Sequence, residues 1–399
     1  MRSQIQLFSN VQFIYELLLA QLELRSLNAT FEMSNDLRSF VLLHAKDRSL
    51  LRRRLAYFES VDGHKTDYSS VVQKNCTNSV NQYLTHWIYP YKGKFHPQMI
   101  RAALNICKLS PGDTVLDPFV GSGTTALEAQ LLGIDFIGYD ASPVCVMQSR
   151  VKTLSCDVLT QIKETYEALL TTGAQNIVSD KAFHDVVGSA PDRRVRDFFC
   201  LAKLVAISDS RRRRKDENQA FVSKTRLMIQ SVAAYLEIQR HLRLSLGDVE
   251  IESGDARSLP LSDDSVSGII TSPPYSIALD YVKNDEHAFE ALGYDAAQLR
   301  EQFIGLRGRI GDRIGLYRED IKRSLDEMVR VLRPGGYAFI VIGNATFAGK
   351  EVKGDELVER YGCDSGLTLE KRVDKTIFGL YNVMQKEKIL VFKKDNDLR

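Results

Sequence analysis

The stretch from Thr114 to Asp140 constrains this chain more tightly than any other. Thr114-Val115-Leu116-Asp117 is a short apolar run ending on an acid, Thr124 to Leu132 has helical spacing, and Asp135-Phe136-Ile137-Gly138-Tyr139-Asp140 is a second strand run. Pro111-Gly112-Asp113 turns the chain into the first run, and Gly133 ends the helix. Strand, helix and strand in this order predict a βαβ unit, hence a parallel sheet in an α/β fold. The loop Asp117-Pro118-Phe119-Val120-Gly121-Ser122-Gly123-Thr124-Thr125 then lies at the carboxyl end of a strand, where open α/β sheets bind ligands.

Gly121 and Gly123 let a ligand approach the loop backbone, but no lysine follows as in a P-loop and no third glycine completes the dinucleotide pattern. A phosphate-bearing cofactor fits poorly, whereas a phosphate-free nucleoside fits. Asp140 ends the next strand 17 residues after Gly123, where a carboxylate can take both ribose hydroxyls. Gly254-Asp255-Ala256 follows a third strand run, Val249-Glu250-Ile251, and places Asp255 to accept from an adenine amine. Phe95, in the loop from Tyr89 to Pro97, is a candidate wall for the other end of the cofactor. Taken singly, each has a bland counterpart: a strand-to-helix turn, a helix cap ahead of Pro143, a surface turn, a core aromatic.

Gly268-Ile269-Ile270-Thr271 runs straight into Ser272-Pro273-Pro274-Tyr275. Two prolines after a buried strand cannot donate to a ladder, so the chain must leave the sheet there. With φ fixed, the Ser272 hydroxyl and the Pro273 carbonyl are two converging acceptors, and Tyr275 offers a flat face for a base. An exocyclic amine of cytosine or adenine is a poor nucleophile because its lone pair is delocalised into the ring. Two acceptors on its hydrogens tilt it toward tetrahedral geometry, and it can then attack a sulfonium methyl directly, a displacement that needs alignment more than acid or base strength. No Pro-Cys pair stands here, in keeping with a reaction that forms no covalent enzyme intermediate. In a duplex, reaching the amine requires extruding the nucleotide.

In combination, DPFVGSGTT at 117–125, Asp140 and SPPY at 272–275 resemble the DNA amino-methyltransferases, the N4-cytosine and N6-adenine group. The resemblance covers residues 86–150 and 247–393. It implies a Rossmann-like, seven-stranded sheet binding S-adenosylmethionine (AdoMet), with Phe95, Asp117, Phe119, Gly121, Ser122, Gly123, Thr124, Asp140 and Asp255 around the cofactor. Ser272, Pro273, Pro274 and Tyr275 would be catalytic, and serine at the head of the tetrapeptide leans toward N4 of cytosine, aspartate being more usual for N6 of adenine. The resemblance implies double-stranded DNA as substrate, allows a cognate restriction nuclease as partner, and calls for no metal. Asp280 and Tyr281 are candidates for the target pocket; Asn344 is another, with a simple turn as its bland reading.

The rest of the chain divides around this core. Residues 1–85 read as a helical extension, with Phe13, Leu17, Ala20 and Leu24 on one face. The catalytic domain is expected over 86–150 and 247–399, closing on an antiparallel hairpin of Tyr381 to Met384 with Lys388 to Phe392. Between its halves, 151–246 reads as a helical insertion, with amphipathic runs from Phe198 to Ile207 and Arg226 to His241. A helix from about Arg318 to Leu332, the turn Arg333-Pro334-Gly335-Gly336 and a strand from Tyr337 to Ile342 complete the pattern.

A net charge of +2 is too small to announce a polyanion-binding surface, so local clusters must supply one. Arg52-Arg53-Arg54, Arg211-Arg212-Arg213-Arg214-Lys215 and the stretch from Arg300 to Arg323 are the candidates. The insertion is the largest spare segment, so it and the 300–323 loop are the expected target-recognition region, with Arg211 to Lys215 meeting phosphates. The cysteines Cys76, Cys107, Cys145, Cys156, Cys200 and Cys363 have no metal-ligand or disulfide spacing and read as buried thiols. Neither a secretory signal nor a membrane span is evident, which makes a reducing cytoplasm the simplest compartment. Methylation of structured RNA would use the same chemistry, and a catalytically silent nucleic-acid-binding module would keep the same fold.

Overall fold

Two sheets organise the chain, and they share one core. The computed structural model describes residues 3–77, 79–172, 181–213, 216–275, 280–347, 350–378 and 384–396. Strands β1 (Ser3–Leu7), β2 (Ala29–Met33), β3 (Ser39–Ala45), β4 (Phe58–Val61) and β5 (His64–Lys65) form a first sheet in the order β2-β3-β1-β4-β5. Its pairings are antiparallel. Helices α1 (Ile14–Ser26) and α2 (Arg48–Arg54) lie between these strands, and α3 (Asp67–Gln73) follows β5.

The helical extension expected over 1–85 is therefore incorrect. The helical face of Phe13, Leu17, Ala20 and Leu24 belongs to α1 and its N-cap, but the remainder is largely sheet. Short runs such as β1 alternate buried and exposed side chains with the period of a strand. β2–β3 and β4–β5 are local antiparallel hairpins, the latter turning at Asp62-Gly63, whereas the central β1 pairs with β3 and β4 rather than with its sequence neighbour β2. One apolar cluster takes in Ile5, Leu19, Ile100 of α4 (Pro97–Ile106) and Val115. The buried Glu23 accepts hydrogen bonds from Ala56 N and Tyr57 N and from Asn105 Nδ2, while Arg54 donates to Asn105 Oδ1 and the Leu109 carbonyl. These bonds clamp the first sheet to α4. They also make part of the Arg52 to Arg54 run structural rather than solvated.

The second sheet contains β6 (Thr114–Asp117), β7 (Asp135–Asp140), β8 (Val249–Ser253), β9 (Val266–Thr271), β10 (Leu332–Gly343), β13 (Leu367–Phe378) and β14 (Met384–Lys394), in the order β13-β14-β10-β9-β6-β7-β8. From β10 to β8 neighbouring strands are parallel, and β14 lies antiparallel between β10 and β13. This is a Rossmann-like, seven-stranded sheet, as the sequence resemblance implies. The chain runs from β6 outward to β7 and β8, then returns to place β9 on the other side. A crevice therefore opens at the carboxyl ends of β6 and β9, the switch point at which such sheets bind ligands. A two-stranded ribbon, β11 (Ala345–Phe347) with β12 (Lys350–Val352), follows β10.

The terminal hairpin exists with a different register. Its first strand is β13, and Gln385 to Glu387 lie inside β14 instead of forming the turn. Residues 381–383 lie outside the described residues. The sequence from Arg333 to Gly336 is likewise absorbed into β10, where the pairing with β9 shifts between Leu332 and Tyr337 and Gly335 takes φ +75°.

Helices α5 (Thr124–Leu131) and α6 (Pro143–Leu154) flank the parallel strands. Beyond a short 3-10 turn at Ser155–Val158, the insertion consists of α7 (Leu159–Thr171), α8 (Lys181–Gly188), α9 (Arg193–Arg213) and α10 (Glu217–Leu242). Phe198, Phe221, Val232 and Tyr235 bury its interior in a cluster that also holds Leu127 and Leu131 of α5, so the insertion rests on one face of the sheet. Helices α11 (Tyr281–Asn284), α12 (Glu286–Ala291), α13 (Ala296–Gln302) and α14 (Arg313–Val331) lead to β10, and α15 (Gly354–Asp364) precedes β13. Among the described residues, no helix is long and apolar enough to cross a membrane. The six cysteines are free thiols, but Cys76 and Cys363 are exposed, against the expectation that all would be buried.

Candidate active site

The loop after β6 is held by its own acid. Asp117 Oδ1 accepts from Thr271 Oγ1 at 2.6 Å and from Phe119 N at 3.1 Å, and its Oδ2 accepts from Thr125 Oγ1 at 3.1 Å. Burial pushes the carboxyl up to about 7, while these three donors favour the ionised form. Asp117 thus joins β6, β9 and the start of α5. With its oxygens committed inward, it shapes the loop from behind and is not among the residues that line the cleft.

Both loop glycines take the left-handed conformation, for different reasons. Gly123, at φ +72°, is the N-cap of α5, and a Cβ there would lie 2.6 Å from Ser149 Oγ and 2.9 Å from Ser149 Cα. Its missing side chain lets α6 approach, a packing requirement beside the close approach by a ligand expected from the sequence. Gly121, at φ +49°, would place a Cβ 3.3 Å from the Tyr91 ring, at the edge of the open cleft. Its N–H donates to Asp140 Oδ2 at 2.9 Å.

Asp140 ends β7, where its Oδ1 also accepts from Ser142 N at 2.8 Å. Burial raises it to about 6, partly offset by the two backbone donors. A half-buried carboxylate with lone pairs left toward a cleft is suited to hydroxyl donors. The cleft, about 690 Å³ counting its open mouth, is lined by Asp140, Pro118, Phe119, Gly254, Asp255 and Ser272 among others. Asp255 is present but encumbered: Arg257 holds both its oxygens at 2.8 Å and bridges to the buried Asp320 at 3.1 Å. Burial works to raise Asp255, but the Arg257 bonds outweigh it and hold the carboxyl below its usual value. An adenine amine would share this acceptor with a guanidinium.

A second lobe adjoins the first, and Tyr91, Phe119, Ser272 and Tyr281 line both. Phe95, Gly121, Ser122 and Thr124 line the second lobe, as do Lys94, Tyr275, Lys375 and Glu387. Ser272 therefore stands on the common wall. Its Oγ donates to Tyr275 Oη at 3.2 Å, so the lone pairs of the serine remain available as acceptors. The Tyr275 ring packs on Gly343, where a Cβ would lie 2.9 Å from Cδ2. The Pro274 carbonyl accepts from Tyr317 Oη at 2.9 Å, which anchors the proline exit from β9.

Asp280 and Tyr281 part company. Tyr281 stacks on Tyr91 with 6.4 Å between centroids and 17° between planes. Asp280 instead caps α11 through Lys283 N and pairs with Arg300 at 2.7 Å, and it is not among the residues that line either lobe. Asn344 Oδ1 accepts from Asp355 N, the turn-like role of its bland reading.

The basic clusters are only partly open to an anion. Arg300 is held by Asp280 and Arg307 by Asp320. In the other run, Arg211 is exposed at the end of α9, 3.7 Å from Glu290. Arg212 and Arg213 continue the helical backbone, while Arg214 and Lys215 lie outside the described residues.

Sequence reasoning misses Lys94, Lys375 and Glu387. Lys375 and Glu387 face each other across β13 and β14 as an ion pair, a juxtaposition that depends on strand register alone. Lys94 has one signal, its place next to Phe95 in the loop entering the site.

A family model described as DNA methylase matches residues 43–150. The type II methyltransferase M.MjaII of Methanocaldococcus jannaschii is 42% identical over 73 residues, 18% of this chain and 14% of that protein. A tRNA (guanine(10)-N2)-dimethyltransferase of Methanothermobacter thermautotrophicus is 32% identical over 94 residues, 24% of this chain and 23% of that one. A SAM-dependent methyltransferase structure from Methanosarcina mazei is 12% identical, covering 72% of this chain and 94% of its own, with a TM-score of 0.34. The chain thus spans less than a quarter of the length of these two curated relatives.

Proposed function

We propose that this chain is a DNA methyltransferase acting on the exocyclic N4 amine of an extruded cytosine, a reading supported by the DNA methylase family model that matches residues 43–150. Its cofactor is AdoMet, which supplies an electrophilic methyl group when bound. The residues present fit that group: Asp140 offers a carboxylate to the ribose hydroxyls, Phe119 and Pro118 an apolar wall to the adenine, and Gly121, Ser122 and Thr124 a lobe for the amino-acid tail. One observation carries the reading. Ser272 lies on the wall between the two lobes with its proton committed to Tyr275, so it faces the cleft as an acceptor.

In this reading Ser272 Oγ and the Pro273 carbonyl accept the two hydrogens of the amine. The Tyr275 ring, seated on Gly343, bounds the base. Tyr317 keeps the prolines from swinging away through the Pro274 carbonyl. Ser272 favours cytosine over adenine through the family resemblance of its tetrapeptide. The insertion and the Arg211 to Lys215 run supply the DNA-contacting surface, and a cognate nuclease fits the relation to type II methyltransferases. Six free thiols suit a reducing cytoplasm.

The test is direct. The protein is incubated with AdoMet and varied duplex DNA, the DNA is digested to nucleosides, and the modified base is identified by mass spectrometry. N4-methylcytosine is expected, with turnover reduced roughly 100-fold in Ser272→Ala while AdoMet affinity stays within about twofold. N6-methyladenine would overturn the choice of base. The tRNA dimethyltransferase relative supports a second reading, an RNA amine as target, so a parallel incubation with tRNA is included. Methylation of tRNA and not DNA would replace the first reading with the second.

A further inference from the structure

Lys94 is a largely buried ammonium on the wall of the second lobe, beside Ser122 and Thr124 at the start of α5. Its Nζ donates to the His86 carbonyl. Among the described residues no carboxylate oxygen lies within hydrogen-bond reach of it. The nearby acids are committed elsewhere. Glu128 of α5 accepts from Tyr83 Oη, His86 Nε2 and Arg101 Nη1, and Glu387 of β14 pairs with Lys375 of β13. A second buried lysine, Lys152 of α6, donates to the Ser122 carbonyl at 2.8 Å and to Gln148 Oε1 at 3.4 Å, again without an acid. His96, also on the lobe, contacts Asn81. Burial disfavours the charged form of both lysines, and of the two only Lys94 lines the lobe, where an anion docking beside it would stabilise its ammonium.

We propose that Lys94 is the counter-ion for the α-carboxylate of an amino-acid tail, which makes the second lobe an amino-acid subsite. The inference rests on the AdoMet reading above and assigns its charged end to one side chain. Burial lowers Lys94 to about 7, and Glu128 only partly restores it. Near pH 8 the free protein thus holds much of Lys94 neutral. A carboxylate docking beside it stabilises the ammonium, so binding takes up a proton, and affinity for the tail falls as pH rises above about 7.

Calorimetry separates the alternatives. S-adenosylhomocysteine carries the tail, whereas 5'-methylthioadenosine lacks it; both are titrated into the parent, Lys94→Met and Lys94→Arg in buffers of different ionisation enthalpy. Lys94→Met should weaken S-adenosylhomocysteine roughly 10- to 100-fold and leave 5'-methylthioadenosine within about twofold. The parent should take up more protons with S-adenosylhomocysteine than Lys94→Met does; the ligand's own titration is common to both and cancels. Lys94→Arg should retain tail affinity without the extra proton uptake. Removing an unpaired buried charge should leave the urea midpoint of Lys94→Met unchanged or raised. Equal weakening of both ligands, unchanged tail affinity, or a marked fall in the midpoint would overturn the assignment and make Lys94 a structural donor to His86. Failure of the parent to bind either ligand would overturn the cofactor reading instead.

Discussion

Exchanging Gly121 or Gly123 for alanine separates the two jobs of the loop. At Gly123 an alanine must hold φ +72°, which costs roughly 1–2 kcal/mol for a residue with a Cβ. The methyl group also meets Ser149 at 2.6 Å from Oγ, 2.7 Å from Cβ and 2.9 Å from Cα, the last a backbone atom of α6 that cannot swing aside. Overpacking of this kind adds about 1–3 kcal/mol. Gly123→Ala should therefore lose about 2–5 kcal/mol in all, since the two terms act on the same residue. At Gly121 the φ cost is similar, but the nearest atoms are those of the Tyr91 ring at 3.3 Å, so the loss stays near 1–2 kcal/mol. Its methyl falls at the cleft edge, where it should lower AdoMet affinity about tenfold, equivalent to ~1.4 kcal/mol. Urea denaturation of both variants and calorimetric titration with AdoMet check the pair. In a Ser149→Gly background the Gly123→Ala loss should shrink toward the φ cost alone. A Gly121→Ala variant as destabilised as Gly123→Ala would refute the packing argument.

Glu23 links stability to pH. Burial raises its carboxyl from 4.5 to about 7 against the donors Ala56 N, Asn105 Nδ2 and Tyr57 N, so between these values the folded chain keeps a proton that the unfolded chain releases. Stability contributed by this group is full below about pH 4.5 and declines as pH rises through 7, by at most about 3 kcal/mol. Glu23→Gln should lose less stability than the parent between about pH 5 and 8 in urea midpoints; parallel curves would show that Glu23 does not titrate in this window. For the basic run, replacing Arg211 to Lys215 by alanine should weaken DNA binding and flatten its dependence on salt, by about 0.9 in log-log slope for each phosphate no longer neutralised. An unchanged slope would remove these residues from the interface.

The cofactor half of the site is legible in the sequence because it is local. From Thr114 to Asp140, strand, loop, helix and strand are contiguous, and each residue's conformation follows from near neighbours: a left-handed glycine at the helix start, an acid at the strand end. The same proximity makes Ser272 to Tyr275 readable as an exit from a strand. The first sheet is legible only in part: Asp62-Gly63 carries a hairpin signal between β4 and β5 that the helical reading passed over, whereas β1 finds its partners beyond a helix and another strand. Gly123 stands out in the sequence as necessary, but its packing role is not visible there. Its crowding comes from Ser149, and only the packing of α6 on α5 brings that residue near.

Local pattern thus determined the βαβ unit, the glycine loop at its strand end and the proline exit that follows β9. Tertiary structure decided which acids are available to a ligand. Asp117, Asp255 and Asp280 look equivalent to Asp140 as single letters, yet Thr271, Arg257 and Arg300 engage their oxygens, Thr271 and Arg300 from distant segments and Arg257 through its bridge to Asp320. Asp140 meets only two backbone donors and keeps a face toward the cleft. The reverse holds for Lys94, which packing places on the cleft wall without a hydrogen-bonded acid among the described residues. Whether a charged group is spent or available depends on desolvation and on partners brought together by packing, and neither is encoded by spacing along the chain.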